Sequence, residues 1–158
     1  AAEAKYTKCN SILSSQSPLA LICTNSQDIG NQMNKTKDIF DLSQRFFFEA
    51  AHTLHRSYET EGSLRIHGHT YEAEVTVSGT PDPNSGMIVD LALLRREIDR
   101  VRTMLDHRFL DEVEGLGPAT LENLAVFIRD EMLATFPNLS AVMVERRVSG
   151  DRCVLRWN

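Results

Sequence analysis

Residues 63–77 read Ser63-Leu-Arg-Ile-His67-Gly-His69-Thr-Tyr-Glu-Ala-Glu-Val-Thr-Val77. From His67 onward the run alternates in the way that is typical of a half-buried β-strand. Successive side chains of a strand point to opposite faces, so His67 and His69 share one face. Their ring nitrogens can therefore converge on a single metal ion.

A third imidazole ends another strand-like run, residues 46–52, which finishes at His52. If the two runs pair as antiparallel neighbours, three neutral imidazoles meet, which is the pattern of a catalytic zinc site with three protein ligands and one open position. A His-x-His pair alone is often just two half-exposed polar residues, but the third histidine favours metal binding. Cys9, Cys23 and Cys153 lack Cys-x-x-Cys spacing, which disfavours a structural thiolate site.

Composition and charge exclude several classes of protein. The 158 residues, 42% hydrophobic and 25% charged, are ordinary for one globular domain. The net charge of −5, without a massed basic block, argues against a nucleic-acid binder. No apolar run has the length that a membrane span needs. Three cysteines without a framework pattern predict a reducing, cytoplasmic setting.

The chain divides into an irregular N-terminal extension, residues 1–38, and a domain over residues 39–158. Asp90 is placed to cap a first helix that runs to about Leu105, and Thr120 begins a second helix that ends near Pro137. Strands are predicted over residues 39–52, 67–79, 139–148 and 152–157. The order β-β-α-α-β-β predicts an α+β fold, with a four-stranded antiparallel sheet and both helices on one face.

Five segments together resemble the 6-pyruvoyl-tetrahydropterin synthase family, and within it the bacterial 6-carboxytetrahydropterin synthase branch of queuosine (7-deazaguanine) biosynthesis. They are residues 48–52, 67–69, 86–91, 105–111 and 118–123. The resemblance implies the tunnelling fold, in which ββααββ subunits join their sheets edge to edge into a barrel. It also implies a homohexamer of two trimers with active sites at subunit interfaces, and 7,8-dihydroneopterin triphosphate or a related pterin as substrate.

The same resemblance implies roles for individual residues. His52, His67 and His69 match the family's ligands for Zn²⁺. Asp106 and His107 match an Asp-His pair in which a carboxylate orients an imidazole for proton transfer. Without the resemblance, this pair is read as the end of a helix, with an imidazole near the negative end of the helix dipole.

Two acidic residues are candidates to bind the pterin ring. Glu122 matches a family carboxylate that can accept two hydrogen bonds from the N–H edge of the ring, and Thr120 can add a polar contact while capping its helix. Family members usually read Val-x-Val-x-Glu in the third strand, whereas here Arg146 stands at the glutamate position and Glu145 precedes it. A one-residue shift sends a strand side chain to the opposite face, so Glu145 can serve only if a β-bulge restores its direction.

The general base departs from the family pattern as well. Ser63 stands where the family has a cysteine, and a hydroxyl is a poorer base than a thiolate. Either His107 activates Ser63, or a carboxylate of the same loop, Glu61 or Glu59, removes the proton. Arginines could contact the triphosphate, and the sequence does not choose among Arg65, Arg146, Arg147, Arg152 and Arg156.

The resemblance predicts a zinc-dependent lyase that forms 6-carboxy-5,6,7,8-tetrahydropterin, expelling the triphosphate and releasing acetaldehyde. One alternative is cleavage of the side chain to the folate precursor 6-hydroxymethyl-dihydropterin. Another alternative is a catalytically weak paralogue that binds zinc and pterin. The presence of Ser63 in place of the family cysteine supports this alternative.

Overall fold

The computed structural model describes residues 38–58 and 60–157. Four strands form one antiparallel sheet in the order β1-β2-β3-β4, which confirms the predicted fold class. In chain order the elements are β1 (Phe40–His52), α1 (Thr60–Ser63), β2 (His67–Gly79), α2 (Leu91–Leu105), a 3-10 turn (Leu110–Glu112), α3 (Leu121–Leu133), β3 (Leu139–Arg146) and β4 (Asp151–Arg156). The one-turn helix α1 lies in a segment predicted as loop. The proposed extension lies outside the described residues except for Asp38, so that domain boundary stays a prediction.

Side-chain alternation gives the sheet an inner face covered by the helices and an outer face of charged groups. On β2 the inner residues Tyr71, Ala73, Val75 and Val77 are fully buried. The helices contribute buried residues at helical spacing, namely Leu94, Ile98, Val101 and Leu105 from α2, and Leu124, Ala125, Phe127, Ile128 and Met132 from α3. The outer face is held by ion pairs instead, such as those from Arg45 to Glu72 and Glu74.

Both long helices begin at the capping residues that the sequence predicts. The carboxylate of Asp90 accepts from the backbone N–H of Ala92 at 2.7 Å, and the hydroxyl of Thr120 accepts from that of Asn123 at 3.2 Å. Helix α3 ends at Leu133, several residues before the predicted end near Pro137. The residues between them form turns that lead into β3.

The segment after α2 runs along the free edge of β1. Backbone N–H groups of His107 and Ala51 donate to Glu49 O at 2.6 Å and to Arg108 O at 3.0 Å. The carboxylate of Asp111 accepts from the backbone N–H of Thr53 at 3.0 Å. These bonds fix the C-terminal end of β1, where His52 lies. None of the helices in the described ranges has the length and apolar character needed to cross a bilayer.

The cap of α2 gives a stability prediction. Asp90→Ala removes the acceptor for the Ala92 N–H, and we expect it to lower the free energy of unfolding by about 1 kcal/mol. Asp99→Ala, at an exposed position of the same helix, is the matched control and should cost less than about 0.5 kcal/mol. Urea unfolding measures both, and equal losses would contradict the capping role.

Candidate metal centre and adjoining cavities

The register between β1 and β2 brings the three candidate imidazoles together. His52 lies directly opposite His67, and Ala50 lies opposite His69, so all three rings are on the inner face. Ring centroids are 4.5 Å apart for His52 and His67, 5.2 Å for His52 and His69, and 4.9 Å for His67 and His69. One potential ligand atom from each residue lies within 4.8 Å of the other two. The three imidazoles could therefore hold one metal ion.

The hydrogen bonding of these rings fits a metal. His52 is 1% exposed, and neither of its ring nitrogens has a hydrogen-bond partner within residues 38–58 and 60–157. Such buried orphan atoms are costly unless something binds them. Burial, and then the neighbouring His67 and His69, lower the pKa of His52 to about 4, so it is neutral near neutral pH as a metal ligand must be.

The second imidazole is oriented by the backbone. His67 Nδ1 lies 2.8 Å from Arg65 O, and this contact requires a proton on Nδ1. The lone pair is then on Nε2, which is free to bind an ion. Metal-ligating histidines commonly use the other ring nitrogen in this way. No fourth His, Cys, Asp or Glu of the described chain joins the group, so a four-coordinate ion held there would keep one position for another ligand.

Arg146 contacts the third imidazole. Its Nη1 lies 3.1 Å from His69 Nε2, and its Nη2 forms a 2.6 Å ion pair with Asp151. Burial and then the Arg146 charge lower the pKa of His69. The guanidinium therefore uses the same lone pair that a metal bound through Nε2 would take.

Arg146 lines two of the cavities that adjoin the imidazole cluster. One, of about 390 Å³, lies against the start of α3 and is lined by His52, Tyr71, Thr120 and Glu122 among others. The other, of about 500 Å³, includes His67, His69 and Ser63 in its lining. The candidate pterin-binding residues of α3 and the candidate base in α1 thus lie on two sides of the same cluster.

The candidate bases differ in their placement. Ser63 is 7% exposed, and its hydroxyl donates to Thr60 O at 3.1 Å. Glu61 points into solvent and pairs with Arg65, so α1 presents the serine rather than this carboxylate to the cavity. Glu59 lies outside the described residues.

Asp106 and His107 are adjacent, but the distance between their side chains exceeds that of a hydrogen bond, and neither belongs to the imidazole cluster of the same chain. Asp106 accepts from the Glu49 N–H at 2.9 Å and from Arg102 at 3.0 Å, and the first of these bonds is the main cause of its lowered pKa. His107 has φ of 57° and a side chain that is 77% exposed, with Nε2 4.0 Å from Asp106 Oδ1. This exposed imidazole lines an open depression whose lining also includes His69 and Thr70 of β2.

Glu145 lies on the outer face, away from the cluster. It stands opposite Glu72 and bonds to Arg147 at 3.1 Å. The register irregularity between β2 and β3 occurs at Thr76 and Val77, near the start of β3. The bulge that could have turned Glu145 inward is therefore absent from that part of the strand, and the prediction that Glu145 joins the site within one chain is wrong. The inward position belongs to Arg146.

Two residues of the site were not foreseen from the sequence. Tyr71 lines the smaller cavity, and its hydroxyl is buried without a partner in the described ranges. Its position two residues after His69 on one strand is a signal that could have found it. Asp151 pairs with Arg146 across the β3–β4 hairpin, which only the register of that turn shows.

Comparisons with known proteins agree on one family. The model of the family described as 6-pyruvoyl tetrahydropterin synthase matches residues 41–155. A putative 6-pyruvoyl tetrahydrobiopterin synthase of Caenorhabditis elegans is 36% identical, over 60% of this chain and 77% of that protein. The 6-carboxy-5,6,7,8-tetrahydropterin synthase of Synechocystis is 34% identical, over 65% of this chain and 83% of that protein. The solved structure of the Caenorhabditis elegans 6-pyruvoyl tetrahydropterin synthase gives a TM-score of 0.68 at 28% identity, covering 77% of this chain and 97% of that one.

The imidazole cluster gives a metal-binding prediction. The protein should bind one zinc ion per chain, and His67→Ala should weaken binding by more than about 100-fold, because losing even an outer partner of a ligand costs 10–100-fold. The matched control is His55→Ala, which changes an exposed loop imidazole and should leave binding intact. Competition with a chromophoric chelator measures both. Equal zinc affinity in the His67 variant and the parent would contradict the site.

Proposed function

Because the chain belongs to the 6-pyruvoyl tetrahydropterin synthase family, we propose that it is a zinc-dependent lyase acting on 7,8-dihydroneopterin triphosphate. With one water consumed, the proposed products are 6-carboxy-5,6,7,8-tetrahydropterin, acetaldehyde and triphosphate, as in the queuosine branch. The observation that carries the proposal is the group of three imidazoles with an open fourth position, set between two cavities of a pterin synthase fold. A cytoplasmic location goes with this proposal.

His52, His67 and His69 would hold the ion. When bound, Zn²⁺ supplies Lewis acidity to the hydroxylated side chain of the substrate. Three neutral imidazoles leave the double positive charge of the ion undiminished, which favours substrate oxygens that gain negative charge as a proton leaves carbon.

Proton transfer is assigned to Ser63 and His107. Ser63 lines the cavity of His67 and His69, which supports it over the exposed Glu61 as the group nearest the reacting carbon. A serine hydroxyl needs an acceptor for its own proton, and an imidazole serves that role near neutral pH. We assign that role to His107, supported by Asp106.

The position of His107 suggests a shared site. Its side chain is largely exposed and lies outside the cluster of its own chain. In the family, active sites lie at subunit interfaces, so we assign the Asp106–His107 pair of one subunit to the imidazole cluster of a neighbour. A homohexamer of two trimers accounts for this and also pairs the open edges of the sheet, which otherwise expose backbone hydrogen-bonding groups.

Glu122 is the proposed anchor of the pterin ring. It lies in the first turn of α3, two residues after the cap Thr120, and both residues line the cavity that includes His52. A carboxylate there can accept two hydrogen bonds from the N–H edge of the ring. Cleavage to 6-hydroxymethyl-dihydropterin is the second candidate reaction, since the absence of the family cysteine at position 63 removes the thiol base of the first.

Product analysis tests the reaction. Zinc-loaded protein incubated with 7,8-dihydroneopterin triphosphate should yield 6-carboxytetrahydropterin and acetaldehyde by mass spectrometry. Chelation should abolish turnover, and restored zinc should recover it. Release of 6-hydroxymethyl-dihydropterin would support the second reaction, and bound but unchanged substrate would indicate the weak paralogue.

Substitution of the candidate bases extends this test. Ser63→Cys should raise turnover about tenfold or more, because a thiolate is the better base. Loss of turnover in Glu61→Gln, with Ser63→Cys no faster than the parent, would move the base to the carboxylate.

The shared site gives a complementation prediction. His67→Ala and His107→Ala should each be inactive alone. Hexamers assembled from equal amounts of the two variants should regain about a quarter of parent activity, because random assembly pairs an intact imidazole cluster with an intact His107 of the neighbour at that share of the sites. The control takes each variant alone through the same reassembly, which should give no activity. No recovery in confirmed mixed hexamers would contradict the sharing of His107 between subunits.

A further inference from the structure

We propose that Arg146 makes the site select a ligand with an anionic group, a carboxylate or a phosphate, beside the metal. That group would lie between the guanidinium and the ion held by His52, His67 and His69. The inference rests on the proposed function, because it assigns the ion to that cluster and names the chemistry of the group that approaches it.

Strand register turns Arg146 toward the site. Val144 lies opposite Ala73 on the inner face, so Arg146, two residues on, shares that face. Its side chain is only 14% exposed and lines both cavities. Its neighbour Arg147 points to the outer face, where it pairs with Glu72. The two adjacent arginines therefore lie on opposite sides of the sheet.

Unused donors surround this position. A guanidinium carries five N–H donors and no acceptor, so Arg146 cannot accept a hydrogen bond from the N–H edge of a pterin. Its Nε and the Tyr71 hydroxyl are both buried without a hydrogen-bond partner in the residues that the structure describes. Buried donors of this kind are satisfied by an acceptor, and Arg pairs best with carboxylate or phosphate oxygens.

The charge of the site with an ion bound points to an anion as well. Arg152, which also lines one cavity, is paired with Glu145 of the outer face, so the remaining charged side chains of the walls, Arg56, Arg146, Glu122 and Asp151, carry no net charge. A divalent ion on neutral imidazoles would add two positive charges. Charge in a partly buried site needs compensation, and Asp151 is already paired with Arg146. A ligand anion between the ion and the guanidinium would supply it.

The contact with His69 couples the ion to the anion. A metal bound through His69 Nε2 takes the lone pair to which Arg146 Nη1 now donates. The displaced donor then requires another acceptor near the open coordination position. Metal and anion should accordingly increase each other's affinity by the same factor, because linkage between two binding events is reciprocal.

The experiment measures binding to zinc-loaded protein by calorimetry, with no turnover required. The probes are 6-carboxypterin, the uncharged 6-hydroxymethylpterin and inorganic triphosphate. We expect the protein to bind 6-carboxypterin at least about tenfold more tightly than 6-hydroxymethylpterin, or to bind triphosphate in competition with 6-carboxypterin, because hydrogen bonds to charged groups are the stronger ones. The first result assigns a carboxylate to the subsite, and the second assigns a phosphate.

Variants assign the preference to one residue. Arg146→Gln should remove it, and Arg147→Gln, the matched control on the outer face, should keep it. Binding of 6-carboxypterin or triphosphate should also raise the zinc affinity of the parent protein. The same ligands should leave the zinc affinity of the Arg146→Gln variant unchanged. A parent protein with no anion preference overturns the inference whatever the fold of the variants, as does a preference that survives in a folded Arg146→Gln.

The outcome separates the inference from the proposed reaction. Formation of 6-carboxytetrahydropterin without any anion preference in binding overturns the role of Arg146 and leaves the lyase assignment standing. Anion preference that depends on Arg146, without turnover of dihydroneopterin triphosphate, supports the subsite and overturns the assigned reaction.

Discussion

The antiparallel register of β1 and β2 is the constraint on which the candidate site depends. Pairing of His52 with His67 places three imidazoles on one face at the end of the sheet. Slippage by one residue would send the β1 histidine to the opposite face. That register is held along its length, because the same alternation buries Phe48 against Tyr71 and continues into the core beneath the helices. The hydrophobic core and the candidate metal centre are thus two ends of one inner face.

The polar end of that face is maintained by partners outside the strands. The segment after α2 bonds to Glu49 and Ala51 of β1 and to Thr53, which follows the strand, so that it holds the chain on both sides of the candidate ligand His52. A backbone carbonyl orients His67, while burial keeps His52 neutral. The candidate site is thus anchored by backbone contacts and opens toward two cavities, which would suit an ion that keeps one coordination position for a ligand.

Sequence patterns predicted most of the fold because each local signal agreed with the next. The alternation of residues 67–77, the caps Asp90 and Thr120, and the spacing of buried residues in α2 all specify the same elements. The end of α3 was less well defined, since apolar residues continue beyond Leu133 into the turns before β3. The helix α1 was missed because a four-residue turn leaves no periodic pattern.

The site was predictable only where it follows strand alternation. The three imidazoles could be grouped from their spacing, whereas the inward direction of Arg146 depends on the register of β3, and a bulge could have reversed it. The pairing of Arg146 with Asp151 depends on the hairpin turn. The proposed role of His107 in a neighbouring subunit's site concerns assembly, a level of structure that one chain does not specify.

X-ray absorption at the zinc edge tests the central claim most directly. For the zinc-loaded protein we expect three imidazole nitrogens at about 2.0–2.1 Å and one light, exchangeable fourth ligand that changes when a pterin binds. Two or fewer imidazoles, or a fourth protein side chain that persists with ligand present, would contradict the account.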